Sequence, residues 1–354
     1  MRLAGLLAAV AVLLPGAASA GVCSPLNCAP SQTVLARGSL LAFRNTSSGA
    51  VRVIDLQTGR TRWRLPGGVS MGRTLVHQDR SLLTWYDLAT GARTGDAVLQ
   101  TNAHFVLAGL SQDGRRAVVA RTQHSSTTFI VASPAGQREV ELPGNAWSFD
   151  ALAGNRLFLV HRLGLAYEVR VVQLPLGQLG ARSLVAAQGT AWSRVPSADG
   201  RYLFTLYVGG EGRAMLHVLD TRRAAARCID LPGSGDPNAA LTYTLVLDPE
   251  SRYLWAVSPG YGRVARIDLA KLRSDDSYRF DAGRWNTVPA VAVMSPDGER
   301  IAVTDAYHLW LVQVARRKVL AGPAHVAIAL GWSPDERHLW AIGERSRVSA
   351  LVLR

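Results

Sequence analysis

One phrase recurs along nearly the whole chain and limits what it can fold into: an apolar run, a tight turn, and a second apolar run. Its clearest copies are residues 291–303, Val-Ala-Val-Met-Ser-Pro-Asp-Gly-Glu-Arg-Ile-Ala-Val, and Ser197-Ala-Asp-Gly200 followed by Arg-Tyr-Leu-Phe. Decayed copies stand at 111–114, 248–251 and 333–336, with a weaker one at 152–158. The turn chemistry is explicit. Proline presets φ, aspartate bonds its own backbone, and glycine accepts the positive φ that closes a hairpin. A second phrase follows, in which alternating apolar residues end in aspartate before a turn. Val51-Arg-Val-Ile-Asp55-Leu-Gln-Thr-Gly59 and Leu83-Thr-Trp-Tyr-Asp87-Leu-Ala-Thr-Gly91 are full forms, and the runs ending at Asp220 and Asp268 are partial ones. Alternation at period two marks strands with a buried face. The Thr-Gly pair opens another hairpin into a fourth strand such as 61–65, so each unit is four short antiparallel strands.

Taking the first turn as the mark gives Gly38, Gly72, Gly114, Gly154, Gly200, Ser251, Gly298 and Glu336, spaced 34, 42, 40, 46, 51, 47 and 38 residues apart. A period near 40–45 residues per four-stranded unit is that of a β-propeller. A lone four-stranded sheet cannot cover both its faces, whereas sheets set radially cover one another. The expected fold is therefore all-β, a propeller of four-stranded blades. Eight blades fit the eight marks, and seven are the alternative if the 34-residue spacing is a false copy. The 18 residues after Glu336 hold two strands, so the last blade has three of its own. Residues near the mature N-terminus are expected to supply its fourth and close the ring, removing an exposed strand edge.

These phrases resemble the repeats of bacterial YVTN-type and quinoprotein-like propellers, which are related in architecture to WD-repeat proteins. The stretch Ile54-Asp-Leu-Gln-Thr-Gly-Arg-Thr-Arg-Trp63 resembles the quinoprotein-like version most closely, and the resemblance spans about residues 31–354. It implies the fold. It implies little about activity, because propellers host many functions. No tryptophan of the chain is followed by aspartate, a departure from true WD repeats.

Residues 1–20 read as a signal peptide: Arg2, an apolar stretch from Leu3 to Leu14, Pro15, then Ala18-Ser19-Ala20. The apolar run is too short to span a bilayer, which takes about twenty residues. The expectation is an exported protein, in periplasm, cell envelope or extracellular space, with residues 21–354 as one propeller domain and no transmembrane segment in the mature chain. Within the N-terminal segment 21–30, Cys23 and Cys28 are candidates for a disulfide, and Cys228 is then left over in a strand. The formal charge of +13 is carried almost wholly by arginine, scattered in short knots along the chain. That spread points to exposed loops rather than to a nucleic-acid partner.

Catalytic vocabulary is sparse. The chain lacks H-E-x-x-H, a P-loop, and a G-x-G-x-x-G after a strand; Gly68-Val-Ser-Met-Gly72 has the letters of G-x-S-x-G, but it leads into a hairpin turn at Gly72 and not into the helix that a nucleophile elbow needs. Its eight histidines show no ligand spacing, so neither a metal nor another cofactor is expected. The strand-end aspartates Asp55, Asp87, Asp220 and Asp268 read as turn-bonding groups rather than general bases or metal ligands. An aromatic or imidazole recurs near the start of several inner strands, and the candidate ligand-binding residues are His104, Trp147, Trp192, Tyr243 and His325, with Arg194 a charge for the channel. Such a ring could stack and hydrogen-bond a polar ligand, and the same side chains could instead plug the wedges between blades. Two functions stay open. One is a non-catalytic binding or scaffold propeller, monomeric, contacting an envelope protein or glycan through one face or the channel. The other is a secreted hydrolase or lactonase with catalytic groups lining the channel. The missing motifs favour the first.

Overall fold

The computed structural model describes residues 32–351, apart from 36–38, 45–48, 102, 165, 175, 182, 287–289, 323–326 and 344–346. Eight antiparallel sheets follow one another along the chain and form the eight blades of a β-propeller. Their inner strands are Gln32–Leu35, Val69–Met71, Val106–Leu110, Trp147–Ala153, Thr190–Pro196, Thr244–Leu247, Val291–Met294 and Ala329–Trp332. From each, the chain meanders outward through successive hairpins. The single helix among the described residues, Pro237–Ala240, is one turn capped by Asp236 in the link between blades 5 and 6.

The repeat marks are the hairpin turns between first and second strands. Gly72, Gly114, Gly154, Gly200, Ser251, Gly298 and Glu336 all take positive φ, between 53° and 74°, while Gly38 lies outside the described residues. In the best-formed copies the serine and aspartate tie the turn together. Ser197 Oγ donates to Asp199 Oδ1 at 2.7 Å and accepts from Tyr202 N at 2.8 Å. Ser333 and Asp335 repeat the pattern. The short first spacing is thus a true blade, not a false copy. The long spacings have causes too. Blade 4 splits its outer strand into Gln178–Leu179 and Val185–Gln188, both paired with Ala166–Gln173, and the helical link lengthens the step from blade 5 to blade 6.

The strand-end aspartates bond turns. Asp55 Oδ1 accepts from the backbone of Gln57 and Thr58, each at 2.9 Å. Asp87, Asp220 and Asp268 do the same two and three residues onward. Burial works to raise the Asp55 carboxyl, but bonds from Arg62 and Thr58 outweigh it and hold it below the usual carboxylate range.

The core lies between blades. Leu41, Phe43, Ile54 and Leu56 of blade 1 pack on Ala329 and Ile342 of blade 8. Comparable clusters fill the wedges from blade 1 around to blade 8. Tryptophans lock adjacent blades. Trp63 Nε1 donates to Leu88 O of blade 2, and Trp340 Nε1 to Leu56 O of blade 1. Each ring lies over the glycine of a D-L-x-T-G turn, Gly91 and Gly59 respectively; a Cβ would collide with Trp340 at Gly59 and be tightly crowded by Trp63 at Gly91. Gln32 joins the ends of the ring: its Nε2 donates to Ala292 O of blade 7, and its Oε1 accepts from Leu330 N of blade 8. Blade 8 has three strands among the described residues. The segment expected to add a fourth, and the Cys23–Cys28 pair, lie outside the described residues.

Positive φ costs an L-residue about 1 kcal/mol and glycine almost nothing. Gly298→Ala should therefore lower the urea midpoint and Ser251→Gly should raise it. Shifts of the same sign would contradict the turn assignment.

Candidate functional site

Charged side chains are nearly absent from the inner strands. Across all eight, the ionisable residues are Asp150 and Arg194. They face each other from blades 4 and 5. Arg194 Nη2 lies 2.8 Å from Asp150 Oδ1, and its Nη1 donates to Asp150 O at 2.7 Å. Asp150 is 1% exposed and the Arg194 side chain 10%. The local backbone explains the meeting. Phe149 pairs with Leu159 and Ala151 with Phe158, so Asp150 is the extra residue of a β-bulge that re-aims its side chain. Arg194 therefore does not project a free charge into the channel.

The pair begins a polar seam. Arg194, Thr205, His217 and Cys228 are successive cross-strand neighbours through blade 5, on the face turned to blade 4. They divide the wedge between these blades into two apolar clusters, one around Ala151, Phe158, Leu203 and Leu219, the other around Val160, Val169, Tyr167 and Tyr207. Tyr167 and Tyr207 stack at 4.4 Å between ring centroids, and His217 meets both edge-on. His217 is wholly buried, and neither ring nitrogen has a hydrogen-bond partner; the Thr205 hydroxyl is in the same position. Burial pushes the imidazole below its ordinary pKa, Asp150 opposes this, and Arg194 adds to it. Burial raises both tyrosines.

The remaining sequence candidates are spread around the ring. Trp147 is buried, stacks on His161 at 4.1 Å, and donates to Pro143 O at 2.8 Å. Trp192 and Tyr243 share the wedge between blades 5 and 6, donating to Leu241 O and Pro232 O. All three fill wedges rather than present a stacking ring. His104 is exposed in the loop before the inner strand of blade 3, and His325 lies outside the described residues. Asp150, Thr205 and His217 were not singled out from sequence. Their signal was a polar residue in a strand with both faces buried, as in Phe204-Thr-Leu-Tyr207 and Met215-Leu-His-Val-Leu219.

Open space lies at the first-turn face. A depression of about 550 Å³ sits over blades 2 to 4, with Thr74, Thr94, Ser133, Asn155, Arg115 and Arg116 among its walls and Trp85 at its base. A second, of about 270 Å³, runs over Gln112, Leu152, Ala198 and Gly200. The two share Asp113 and Gly154, so they form one groove from blade 2 to blade 5. Gln112 N donates to Leu152 O, and the Gln112 side-chain oxygen accepts from Thr221 of blade 5 at 3.2 Å. These bonds hold the groove floor across blade 4. Among the described residues no group of three or more His, Cys, Asp or Glu could hold a metal, and no helix is long and apolar enough to cross a membrane.

No family model and no curated protein matches the chain. Solved structures do. The β-propeller domain of Cps50 (Swd1) from Myceliophteria thermophila is 16% identical, with 93% of this chain and 97% of that one covered and a TM-score of 0.51. Apo AztD from Citrobacter koseri is 13% identical over 84% and 90%, with a TM-score of 0.53. Kuenenia stuttgartiensis hydrazine synthase is 14% identical over 96% and 98%, with a TM-score of 0.50. At such identity the likeness is one of fold.

A buried imidazole held neutral makes stability depend on pH. Above about pH 6.5 it is uncharged in both folded and unfolded chains. Below that, the unfolded chain binds the proton and the folded one resists, so stability falls by up to about 1.4 kcal/mol per pH unit. His217→Gln should flatten the drop in melting temperature between pH 7 and pH 5. An unchanged slope would contradict the seam's role.

Proposed function

We propose that this chain is an exported, non-catalytic binding or scaffold propeller, of the YVTN-type or quinoprotein-like kind, that engages its ligand through one face. The inner strands carry the reading. Catalysis by acid, base or nucleophile needs an ionisable group that can reach substrate. Here the inner strands offer one carboxylate and one guanidinium, turned into a wedge and bonded to each other. The face is different, because the groove over blades 2 to 5 is open, polar and built on rigid hairpins. Loops on a fixed scaffold are where binding groups concentrate. Export is supported by the basic, apolar and Ala-Ser-Ala order of residues 1–20. The quinoprotein-like kinship is supported by Trp63 and Trp340, each docked on a D-L-x-T-G turn.

Purified chain should hydrolyse neither p-nitrophenyl acetate nor γ-butyrolactone above the buffer rate. Turnover that co-purifies with the protein and is lost in Asp150→Asn would overturn the reading in favour of a hydrolase.

A further inference from the structure

The first-turn face is not electrically neutral over blades 3 to 5. Its turns carry Arg115, Arg116, Arg156, Arg201, Arg222 and Arg223 against Asp113, Asp199 and Asp220. Two pairs cancel locally, Arg201 with Asp220 at 2.9 Å and Arg222 with Asp199 at 3.4 Å. The other four arginines face one carboxylate, and that one is already engaged: Asp113 Oδ1 accepts from Ser111 Oγ at 2.6 Å and from Arg115 N at 3.1 Å. Among the described residues, Arg116 and Arg156 bond only backbone carbonyls, of Gly154 and of Thr221 and Arg222. Arg115 is exposed and makes no ion pair there. The groove thus centres on guanidinium groups with unused donors, which select an anion.

The rest of the wall narrows the class. Thr74, Thr94, Ser133 and Asn155 place hydroxyl and amide groups around the larger depression. Pro134 and Ala135 form an exposed apolar rim, with Trp85 beneath. A ligand matching this wall carries many hydroxyls, a flat C–H face and an acidic group. An acidic peptide supplies the charge but leaves the hydroxyl-bonding groups unused. Resting on the binding-propeller reading, we propose that this groove binds a carboxylate-bearing saccharide, such as a uronic-acid segment of a polysaccharide. The carboxylate sits at Arg115 and Arg116, the ring's C–H face lies on Pro134 and Ala135, and the sugar hydroxyls reach Thr74, Thr94, Ser133 and Asn155.

Calorimetric titration of the full chain with trigalacturonate, maltotriose and triglutamate tests this at about 0.15 M salt, where exposed charges are screened beyond about 8 Å. Trigalacturonate should bind, and the other two about ten-fold more weakly or not at all. Arg115→Gln/Arg116→Gln should cost about ten-fold in affinity. Arg60→Gln/Arg316→Gln removes the same charge from exposed turns of blades 1 and 7 and should change nothing. Arg115→Gln alone removes a side chain with no ion pair, so it keeps the test open if the double variant folds poorly. Equal losses in both double variants, equal binding of triglutamate, or binding of none of the probes would each overturn the inference and leave a binding propeller standing. Cleavage of trigalacturonate would instead sink the non-catalytic reading.

Discussion

Each four-stranded sheet of this chain is apolar on two sides and cannot hide either by itself, so every blade depends on the flat face of the next. At roughly 25 cal/mol for each Å² of apolar surface removed from water, it is contact between sheets, not pairing within them, that holds the ring. This explains why Leu41, Val53, Leu75, Val118, Phe158 and Phe204, spread over five blades, are all inaccessible to solvent. It also explains why small residues stand where blades approach. Gly109 lies against Phe149 of the next blade and Gly331 against Leu56, with no room for a Cβ at either. Closure turns a row of dependent sheets into one cooperative body, and Gln32 and Trp340 bridge the place where the row meets itself.

The wedge between blades 4 and 5 breaks the rule. There an ion pair, a threonine and a histidine interrupt the apolar contact. A buried ion pair recovers little of its desolvation cost, and an unpartnered imidazole recovers less. The seam is a stability liability kept inside an otherwise apolar ring. The groove over the same blades is stitched together at the surface by Gln112, which bonds blades 4 and 5, and by Arg116 and Arg156, each bonding the next blade. The polar wedge and the open groove therefore occupy one sector of the molecule.

Fold was legible because its determinants are local. A turn needing positive φ, an aspartate closing the next turn, and alternation between them each fall within about a dozen residues, and Ser251 and Glu336 were readable as marks although neither is glycine. The inner-strand tryptophans were placed correctly near strand starts, but position along a strand does not tell channel from wedge. Trp147 and Trp192 turn into wedges because their indoles reach the carbonyls of Pro143 and Leu241. The Asp150–Arg194 pair was beyond sequence because a bulge sets the direction of Asp150, and bulges carry no fixed motif. The groove was hidden for a similar reason: Arg115, Asn155 and Thr94 come from three blades, and only the ring makes them neighbours.

Native-state hydrogen exchange followed strand by strand tests ring closure most directly. In a closed ring, the amides of Leu40–Arg44 in blade 1 and Leu339–Ile342 in blade 8 should exchange only with global unfolding, at the same free energy as strands in blades 3 and 6. An open stack of sheets would fray from its ends, and markedly faster exchange in blades 1 and 8 than in the middle of the chain would contradict the account.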